Sequence, residues 1–295
     1  MSHINANVQD SQILFEGVEK RIELLFDTCI PFMSSLRSLY KEDIDAILDA
    51  AKCSSLVKKS LESFDAYILS ESSLFVYDHK IILLTCGTTS LLLAIPMIIQ
   101  KASSIGMNIS GCHFTRGAYI FPEKQQYPHR SFEEECAYLE SQIPIMSYTY
   151  KNKNNKNKNN NTYIWQSYQN KEDIMSIHKT VYTNIAVGPN YVNDIRRIIN
   201  IYTDSYDDYV FDPCGYSLNA YKESGYITIH VTPQSKCSYV SIETYGIDSI
   251  HVFLHKLHDM LFEVFHYRPP IMKRNSDSQY YKYTPMNPTI CVGSA

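Results

Sequence analysis

The first half of the chain contains a hairpin pattern followed by a helix pattern. Residues 72–86, SSLFVYDHKIILLTC, are rich in β-prone side chains and predict two strands around a turn at Asp78 and His79. A capped helix is predicted to begin near Ser90 and to cover 91–101. Apolar residues at helical spacing predict another helix earlier in the chain, over 42–51.

The second half repeats this order. Residues 225–245 predict two strands around a turn at 233–236. Five apolar residues then recur at helical spacing, which predicts a helix after the hairpin: Ile250, Leu254, Leu257, Leu261 and Val264. Two hairpins, each followed by a helix, predict an α+β protein of two similar halves, with antiparallel sheets and helices packed outside.

Two segments leave alternatives open. Residues 15–26 fit a helix, but as a strand they would place Glu19, Arg21 and Glu23 on one face. The uncharged segment 81–99 approaches the length that spans a bilayer. Its small and polar centre favours a buried strand, a turn and a helix instead.

Two polar stretches interrupt these patterns. SESS, at 70–73, lies between two β-prone runs, where a solvated loop is the ordinary interpretation. KNKNNKNKNNN, at 151–161, contains only Asn and Lys, which cannot bury enough surface to offset the entropy of ordering. We expect 151–161 to be a disordered surface insertion that divides the chain into its two halves.

Composition and charge limit the partners and the cellular compartment. The chain is 44% hydrophobic with a net charge of −4, so nothing favours nucleic acid or a membrane as a partner. Its eight cysteines are scattered without a C-x-x-C pair. The N-terminus has neither a basic start nor an apolar run. We therefore expect free thiols and a cytoplasmic location.

Simple motifs do not identify the chemistry. His251, His255 and His258 have a spacing that some metal sites use, but a solvated helix flank is the commoner explanation, and we expect no metal. The chain has no glycine-rich phosphate loop and no nucleophile elbow. By itself Cys86 suggests a small buried hydrophobe and His230 a satisfied histidine.

Six longer stretches occur together in one order: FEGVEKRIE, YILSESSLFV, LTCGTTSLLLAIP, FTRGAYIFPEKQQYPHRSFEEE, FDPCGYSLNAYKESGYITIHVTP and SYVSIET. In residues, order and approximate spacing they resemble the eukaryotic S-adenosylmethionine decarboxylases, over about 13–150 and 208–265. The resemblance implies a single domain over 1–295 that forms an αββα sandwich of two mainly antiparallel sheets. It also makes 20–26 a strand.

The resemblance implies a proenzyme that cuts itself between Glu71 and Ser72, giving a β chain (1–71) and an α chain (72–295). The Ser72 hydroxyl would attack the Glu71 carbonyl, and elimination and hydrolysis would turn Ser72 into a pyruvoyl group, the covalent cofactor. Ser217 would stabilise the tetrahedral intermediate of the acyl shift. His230 would remove the α-proton of Ser72.

The resemblance also implies a substrate site. The pyruvoyl carbonyl would form a Schiff base with S-adenosylmethionine, and Cys86 would reprotonate the substrate carbon with a thiol pKa tuned towards neutrality. Other residues match substrate-contacting positions: Phe15 and Phe211 around the adenine, Glu16 and Glu19 as acidic lining, Leu69 through its backbone, and Gln234 at the ribose. Relatives carry Glu in place of Gln234, so nucleoside binding should be weaker by roughly 1 kcal/mol.

A charged network marks a second departure. Leu84 replaces a lysine that, in animal relatives, belongs to an acidic network binding putrescine as an activator. Glu23 and Glu243 of that network are retained. Arg21 and His113 lie where plant relatives carry built-in cations. We hypothesise that these cations make activity independent of putrescine.

Together these inferences predict a cytoplasmic enzyme that decarboxylates S-adenosylmethionine to the aminopropyl donor of spermidine and spermine synthesis. Its partners would be the substrate and its own two chains, with a homodimer left open. A weakly active paralogue that regulates an active partner, and a binding module in which SESS is only a loop, remain alternatives. The joint presence of Ser72, Cys86, Ser217 and His230 favours the enzyme, because an inactive paralogue has no reason to keep that set.

Overall fold

The structure, a computed structural model, describes residues 19–28, 34–117, 119, 121–143, 148–154, 162–169, 177–185, 190–212, 214–233, 238–247 and 281–285. Its strands are β1 (Lys20–Thr28), β2 (Ser55–Ser60), β3 (Phe64–Leu69), β4 (Ser72–Tyr77), β5 (Lys80–Thr85), β6 (Met107–Arg116), β7 (Tyr148–Asn154), β8 (Thr162–Tyr168), β9 (Ile177–Ile185), β10 (Ser205–Val210), β11 (Tyr216–Lys222), β12 (Gly225–Thr232), β13 (Ser238–Tyr245) and β14 (Tyr281–Pro285). Its α-helices are α1 (Lys41–Ala51), α2 (Ile95–Ser104), α3 (Phe132–Gln142) and α4 (Tyr191–Tyr202).

The strands form two sheets. The first sheet has the order β2-β3-β4-β5-β1-β6-β8-β7, and every neighbouring pair is antiparallel. The second has the order β10-β11-β12-β13-β9-β14. Only the β14–β9 pair of the second sheet is parallel among the described strands. Both sheets are therefore mainly antiparallel, as expected.

Three apolar layers stack these elements into a sandwich. Helices α1, α2 and α3 share one core with the outer face of the first sheet. Helix α4 buries Ile195, Ile198 and Ile199 against the outer face of the second sheet. The inner faces meet in a layer of mostly aromatic side chains: Phe64, Ala66, Phe75, Ile82, Leu84, Tyr221, Tyr226 and Tyr245. The αββα arrangement is thus confirmed.

Strand β1 lies in the middle of the first sheet, between β5 and β6. Its side chains alternate between the two faces, as a strand requires. Ile22 and Leu24 enter the core under the helices, whereas Arg21 points to Glu243 of the second sheet. The ambiguous segment is therefore a strand over its described part, and Glu19, Arg21 and Glu23 share its inner face.

The first predicted hairpin is confirmed, with β4 and β5 joined at Asp78 and His79. The apolar segment after it continues into a 3₁₀ turn, Leu91–Ala94, and then into α2. In the part of the chain that the structure describes, no helix is long and apolar enough to cross a membrane. The second predicted hairpin is β12 and β13, and the helix predicted at 42–51 is α1.

The prediction for 151–161 needs a correction. Residues 151–154 belong to β7, which pairs with β8 at the edge of the first sheet. Backbone hydrogen bonds to β8 order this segment, and Lys151 forms an ion pair with Glu140 of α3. An edge strand tolerates Lys because its side chains reach solvent. The tract thus begins within the first sheet, and 155–161 lie outside the described residues.

The helix predicted over 250–264 also lies outside the described residues. In the described part, α4 covers the second sheet, and no pattern in the sequence analysis identified it. Its apolar side recurs at Ile195, Ile198 and Ile199, which is helical spacing. The boundary between the two sheets falls between β8 and β9, after the division predicted at 151–161.

The inter-sheet layer should carry much of the stability. The Phe75 ring stacks on Tyr226 with centroids 3.7 Å apart, and Phe75 is fully buried. Phe75→Ala should lower the free energy of unfolding in urea by about 3–5 kcal/mol, because it leaves a cavity between the sheets. Leu56→Ala, on the exposed edge strand β2, should change it by less than about 0.5 kcal/mol. Equal effects of the two changes would contradict this assignment.

Candidate active site

The SESS stretch forms the tip of the hairpin between β3 and β4. Leu69 pairs with Ser72, so Ser70 and Glu71 make a two-residue turn. Ser72 and Ser73 are buried, so the solvated-loop interpretation is wrong for them. Ser72 has a φ of 152°, where side chains are disfavoured. Such backbone strain costs about 1–3 kcal/mol and is often found at functional sites.

Two hydrogen-bond donors hold the carbonyl of Glu71. The N–H of Cys86 lies 3.1 Å from Glu71 O, and the Cys86 thiol donates to the same oxygen from 3.0 Å. Thr85 pairs with Ser72, which brings the next residue, Cys86, beside that carbonyl. Two donors on one carbonyl oxygen stabilise negative charge there when a nucleophile attacks the carbon.

The second sheet supplies a histidine beside Ser72. His230 Nε2 lies 3.1 Å from Ser72 Oγ and 2.8 Å from Thr228 Oγ1. The other ring nitrogen, Nδ1, lies 2.8 Å from Ser217 Oγ. If Nε2 accepts the Ser72 proton, then Nδ1 must carry a hydrogen and donate it to Ser217. Ser217 is thus placed to hold the tautomer in which Nε2 is the acceptor.

Ser217 lies on the far side of His230 from Ser72, since its hydrogen bond goes to Nδ1. The donors at the Glu71 carbonyl come from Cys86 in this uncut form. The oxyanion role implied for Ser217 therefore stays a prediction. Sequence alone did not predict the contact of Cys86 with the Glu71 carbonyl, because it does not show that the two are adjacent across the sheet.

Asn219 of the second sheet forms hydrogen bonds to both strands of the hairpin that carries SESS. Ser73 Oγ donates to Asn219 Oδ1 at 2.8 Å, and Asn219 Nδ2 donates to the Tyr67 carbonyl at 3.2 Å. Asn219 is fully buried, so both bonds form away from water. The sequence analysis missed Asn219 and Thr228, although both lie on the same strand faces as Ser217 and His230.

Burial raises the pKa of the Cys86 thiol well above its usual value, and Glu71 and Glu19 raise it further, while Lys20 opposes them. Burial likewise raises the pKa of Glu71. The thiol therefore keeps its proton at neutral pH and can act as an acid. The resemblance predicts a thiol tuned towards neutrality, whereas here desolvation outweighs the opposing charge of Lys20.

Glu19 lies next to the histidine. Its carboxylate accepts a hydrogen bond from Ser241 Oγ at 2.7 Å and lies 3.8 Å from His230 Nε2. Both Glu19 and His230 are buried. Glu19 is thus placed where a carboxylate would stabilise a protonated His230.

A buried ionic network lies farther along β1, between the sheets. Arg21 Nε donates to Glu243 at 2.9 Å, and Arg21 Nη2 donates to Glu23 at 3.0 Å. Tyr226 donates to Glu243 at 2.8 Å and Tyr245 to Glu23 at 3.3 Å. Both carboxylates are therefore matched with a cation and a hydroxyl, which buried charges require.

The second cation of this network is Lys80 rather than His113. Burial and the Arg21 charge lower the pKa of His113 to about 4, so its ring is neutral at neutral pH. Lys80 Nζ lies 3.9 Å from Glu23, hydrogen-bonds Tyr245 and covers its ring. Leu84 fits the apolar layer between the sheets. His113 as a built-in cation therefore stays a prediction, and the lowered pKa of its ring argues against it.

The remaining predicted residues divide into two groups. Leu69 is buried beside Ser72 on the neighbouring strand, and Phe211 is half-buried and contacts Gly215. Others lie outside the described residues: Phe15, Glu16, Gln234, His251, His255 and His258. Among the described side chains, no group of His, Cys, Asp or Glu could hold a metal ion.

Comparisons with known proteins give matches over most of the chain. The family model described as Adenosylmethionine decarboxylase matches residues 12–184 and 175–272. S-adenosylmethionine decarboxylase proenzyme 3 of Arabidopsis thaliana is 38% identical over 261 residues, covering 79% of this chain and 74% of that one. The S-adenosylmethionine decarboxylase proenzyme of Pisum sativum is 37% identical over 263 residues, covering 81% and 74%.

The solved structures that match include that of the Trypanosoma brucei AdoMetDC-delta26 monomer. It is 26% identical and aligns with a TM-score of 0.46, covering 65% of this chain and 75% of that chain.

The contacts at Glu71 predict a role for the Cys86 side chain in cutting the chain. Cys86→Ala removes the thiol donor and keeps the backbone donor. Cleavage should slow by about 10²-fold, the cost of losing one donor to a developing oxyanion. Cys136→Ala, a thiol buried in the helical layer, is the matched control and should be cut at the normal rate. A time course on denaturing gels measures both, and unchanged cleavage of Cys86→Ala would refute the role.

Proposed function

This chain belongs to the adenosylmethionine decarboxylase family, and we propose that it cuts itself at Glu71–Ser72 and decarboxylates S-adenosylmethionine with the pyruvoyl group that results. The product is the aminopropyl donor for spermidine and spermine synthesis. One observation supports the self-cleavage above all others. The strained Ser72 has its hydroxyl on His230 Nε2 and the preceding carbonyl on two donors of Cys86.

The first step of cleavage is an acyl shift. His230 takes the hydroxyl proton of Ser72, and Ser72 Oγ attacks the Glu71 carbonyl carbon while Cys86 stabilises the oxyanion. The C–N bond to Ser72 then breaks, its nitrogen takes a proton, and an ester links Glu71 to the Ser72 oxygen. Leaving the φ of 152° relieves strain, which favours this step.

The second step is an elimination. A base removes the α-proton of Ser72, the Cβ–Oγ bond breaks, and Glu71 leaves as the new carboxylate terminus. The resulting dehydroalanine tautomerises to an imine, and water hydrolyses it to a pyruvoyl group and ammonia. His230 is the base placed nearest to Ser72, and Glu19 lies 3.8 Å from it, ready to stabilise its protonated ring.

The surroundings of Ser72 fit a pyruvoyl group. Ser72 supplies the β-oxygen that the elimination expels, and it is buried, with a base and a protonated thiol close by. When formed, the pyruvoyl carbonyl supplies the electron sink for decarboxylation. Cys86 then serves as the acid that returns a proton to the substrate carbon, since its raised pKa keeps the thiol protonated.

The substrate would lie along the inner side of this hairpin. Glu19 is the described carboxylate closest to the base, and it suits a positively charged substrate. Phe211 offers a half-buried aromatic face to the adenine. Phe15, Glu16 and Gln234 complete the proposed binding set. A cytoplasmic location and a homodimer remain predictions.

The function is tested by the masses of its products. Denaturing mass spectrometry should find chains 1–71 and 72–295, the second with an N-terminal pyruvoyl group. Ser72→Ala should stay intact because it has no hydroxyl. Ser70→Ala, in the same turn, should still be cut. The cut protein should release CO₂ from carboxyl-labelled S-adenosylmethionine.

Two outcomes would contradict the proposal and separate its alternatives. An intact wild-type chain without CO₂ release would support a binding module. A cut chain that binds S-adenosylmethionine without releasing CO₂ would support the regulatory paralogue.

The ionic network predicts independence from putrescine. Arg21 already pairs with both Glu23 and Glu243, so an added diamine has no unpaired carboxylate to bind there. Putrescine should leave the CO₂ release rate of the wild type unchanged. Arg21→Leu should lose most of its activity and regain part of it on adding putrescine. The matched control Arg197→Leu removes an exposed arginine and should behave as the wild type. A several-fold activation of the wild type would refute this prediction.

A further inference from the structure

The loop that carries Cys86 is held at several points. It runs from Cys86 to Ser90, between β5 and the 3₁₀ turn before α2. Thr89 Oγ1 donates to the Cys86 carbonyl at 2.8 Å, and the Ser90 N–H donates to the carbonyl of Ala51 at 3.0 Å. Gly87 has a φ of +61°, so the chain turns sharply directly after Cys86.

The carbonyl at this turn is held by two buried side chains. Lys20 Nζ donates to Gly87 O at 2.7 Å, and Gln125 Nε2 donates to the same oxygen at 3.3 Å. Lys20 Nζ also lies 3.4 Å from Gln125 Oε1. Lys20 is 1% exposed and Gln125 is 4% exposed. Two buried side chains therefore hold the turn through the Gly87 carbonyl, on the side away from solvent.

Lys20 reaches this position because of its place on β1. It lies on the same face as Ile22 and Leu24, under the helices, and opposite to Arg21. It pairs with Thr85, the last residue of the strand that leads into the loop. Lys20, the first residue of β1 on its otherwise apolar outer face, thus lies within hydrogen-bond distance of the turn at Gly87.

A second buried polar cluster lies beside the 3₁₀ turn that follows this loop. Glu135 accepts hydrogen bonds from Arg116 at 2.8 Å and from His129 Nδ1 at 2.7 Å. The other nitrogen of His129 accepts the Leu92 N–H at 3.3 Å, in the 3₁₀ turn that follows the loop. Buried polar groups therefore hold both the loop and the turn after it.

We propose that Lys20 is a positioning residue for Cys86: with Gln125 it grips the Gly87 carbonyl and thereby fixes the Cys86 thiol at the Glu71–Ser72 bond. This rests on the proposed function, in which Cys86 acts both at the scissile carbonyl and as the proton donor. An ammonium is costly to bury, and a methionine would fill the same space without that cost. We therefore expect the buried charge of Lys20 to serve the site.

That role is electrostatic as well as geometric. The titratable groups that face the Cys86 thiol are Glu71, Glu19, Lys20 and Cys53. Lys20 is the cation of this set and lowers the pKa of Cys86, against burial and the two carboxylates. Without the lysine, the thiol becomes a weaker acid, and the turn loses its shortest side-chain hydrogen bond.

The test compares Lys20→Met, Lys20→Arg and Gln125→Leu with the matched control Lys124→Met, which removes an exposed lysine next to Gln125. Alkylation of Cys86 by iodoacetamide is followed by peptide mass spectrometry across a pH series, on the full protein as purified, whether cut or uncut. The kcat and KM for CO₂ release are measured on the same samples. The alkylation readout needs no turnover, so it stands apart from the proposed function.

In Lys20→Met, the alkylation profile should move to higher pH, and a one-unit rise in pKa slows alkylation about tenfold at a given pH. The kcat should fall with KM little changed, because the loss affects the acid rather than substrate binding. Lys20→Arg should lie between Lys20→Met and the wild type in both the alkylation profile and kcat. Lys124→Met should match the wild type in both. Gln125→Leu should lower kcat less than Lys20→Met does.

A Lys20→Met protein with the alkylation profile and kcat of the wild type would overturn the proposal. If that variant does not fold, as judged by near-UV circular dichroism, Lys20→Arg and Gln125→Leu decide. Wild-type profiles in both would overturn the proposal. Absence of cleavage and CO₂ release in the wild type itself would instead refute the proposed function, while the alkylation comparison would still report on Lys20.

Discussion

The packing of the two sheets against each other is the constraint on which the candidate site depends. The first sheet supplies the scissile bond and Cys86, and the second supplies His230 and Ser217. Neither sheet contains the site alone. The stacked rings between the sheets set the separation at which Ser72 Oγ meets His230 Nε2. Because aromatic layers pack at nearly fixed distances, this separation has little freedom.

Strand β1 shows how one short segment serves two chemistries. Its inner face places Arg21 between two carboxylates of the inter-sheet network, and its outer face places Lys20 under the Cys86 turn. The strict alternation of a strand keeps these two cations apart although they are neighbours in sequence. A central position between β5 and β6 keeps both buried.

Much of the architecture could be predicted from the sequence, because hydrophobic patterns report burial directly. The hairpin β4–β5 and helix α1 followed from such patterns, and the strand assignment of β1 needed the resemblance as well. The edge strand β7 did not, because its Asn and Lys residues are ordered by backbone pairing with β8, which a hydrophobic pattern does not report. Contacts between neighbouring strands and between the sheets also could not be predicted from the sequence. The hydrogen bonds from Cys86 to the Glu71 carbonyl depend on strand register. The lowered pKa of His113 depends on burial and on the charge of Arg21.

The strand order has a consequence for the proposed cut at Glu71–Ser72. The short chain contributes β1, β2 and β3, yet β1 lies between β5 and β6, which belong to the long chain. The two chains are therefore interleaved in a single sheet rather than docked face to face. Separating them would require breaking the ladders on both sides of β1 and exposing the cores on both its faces. Once cut, the protein is two polypeptides that can part only by unfolding.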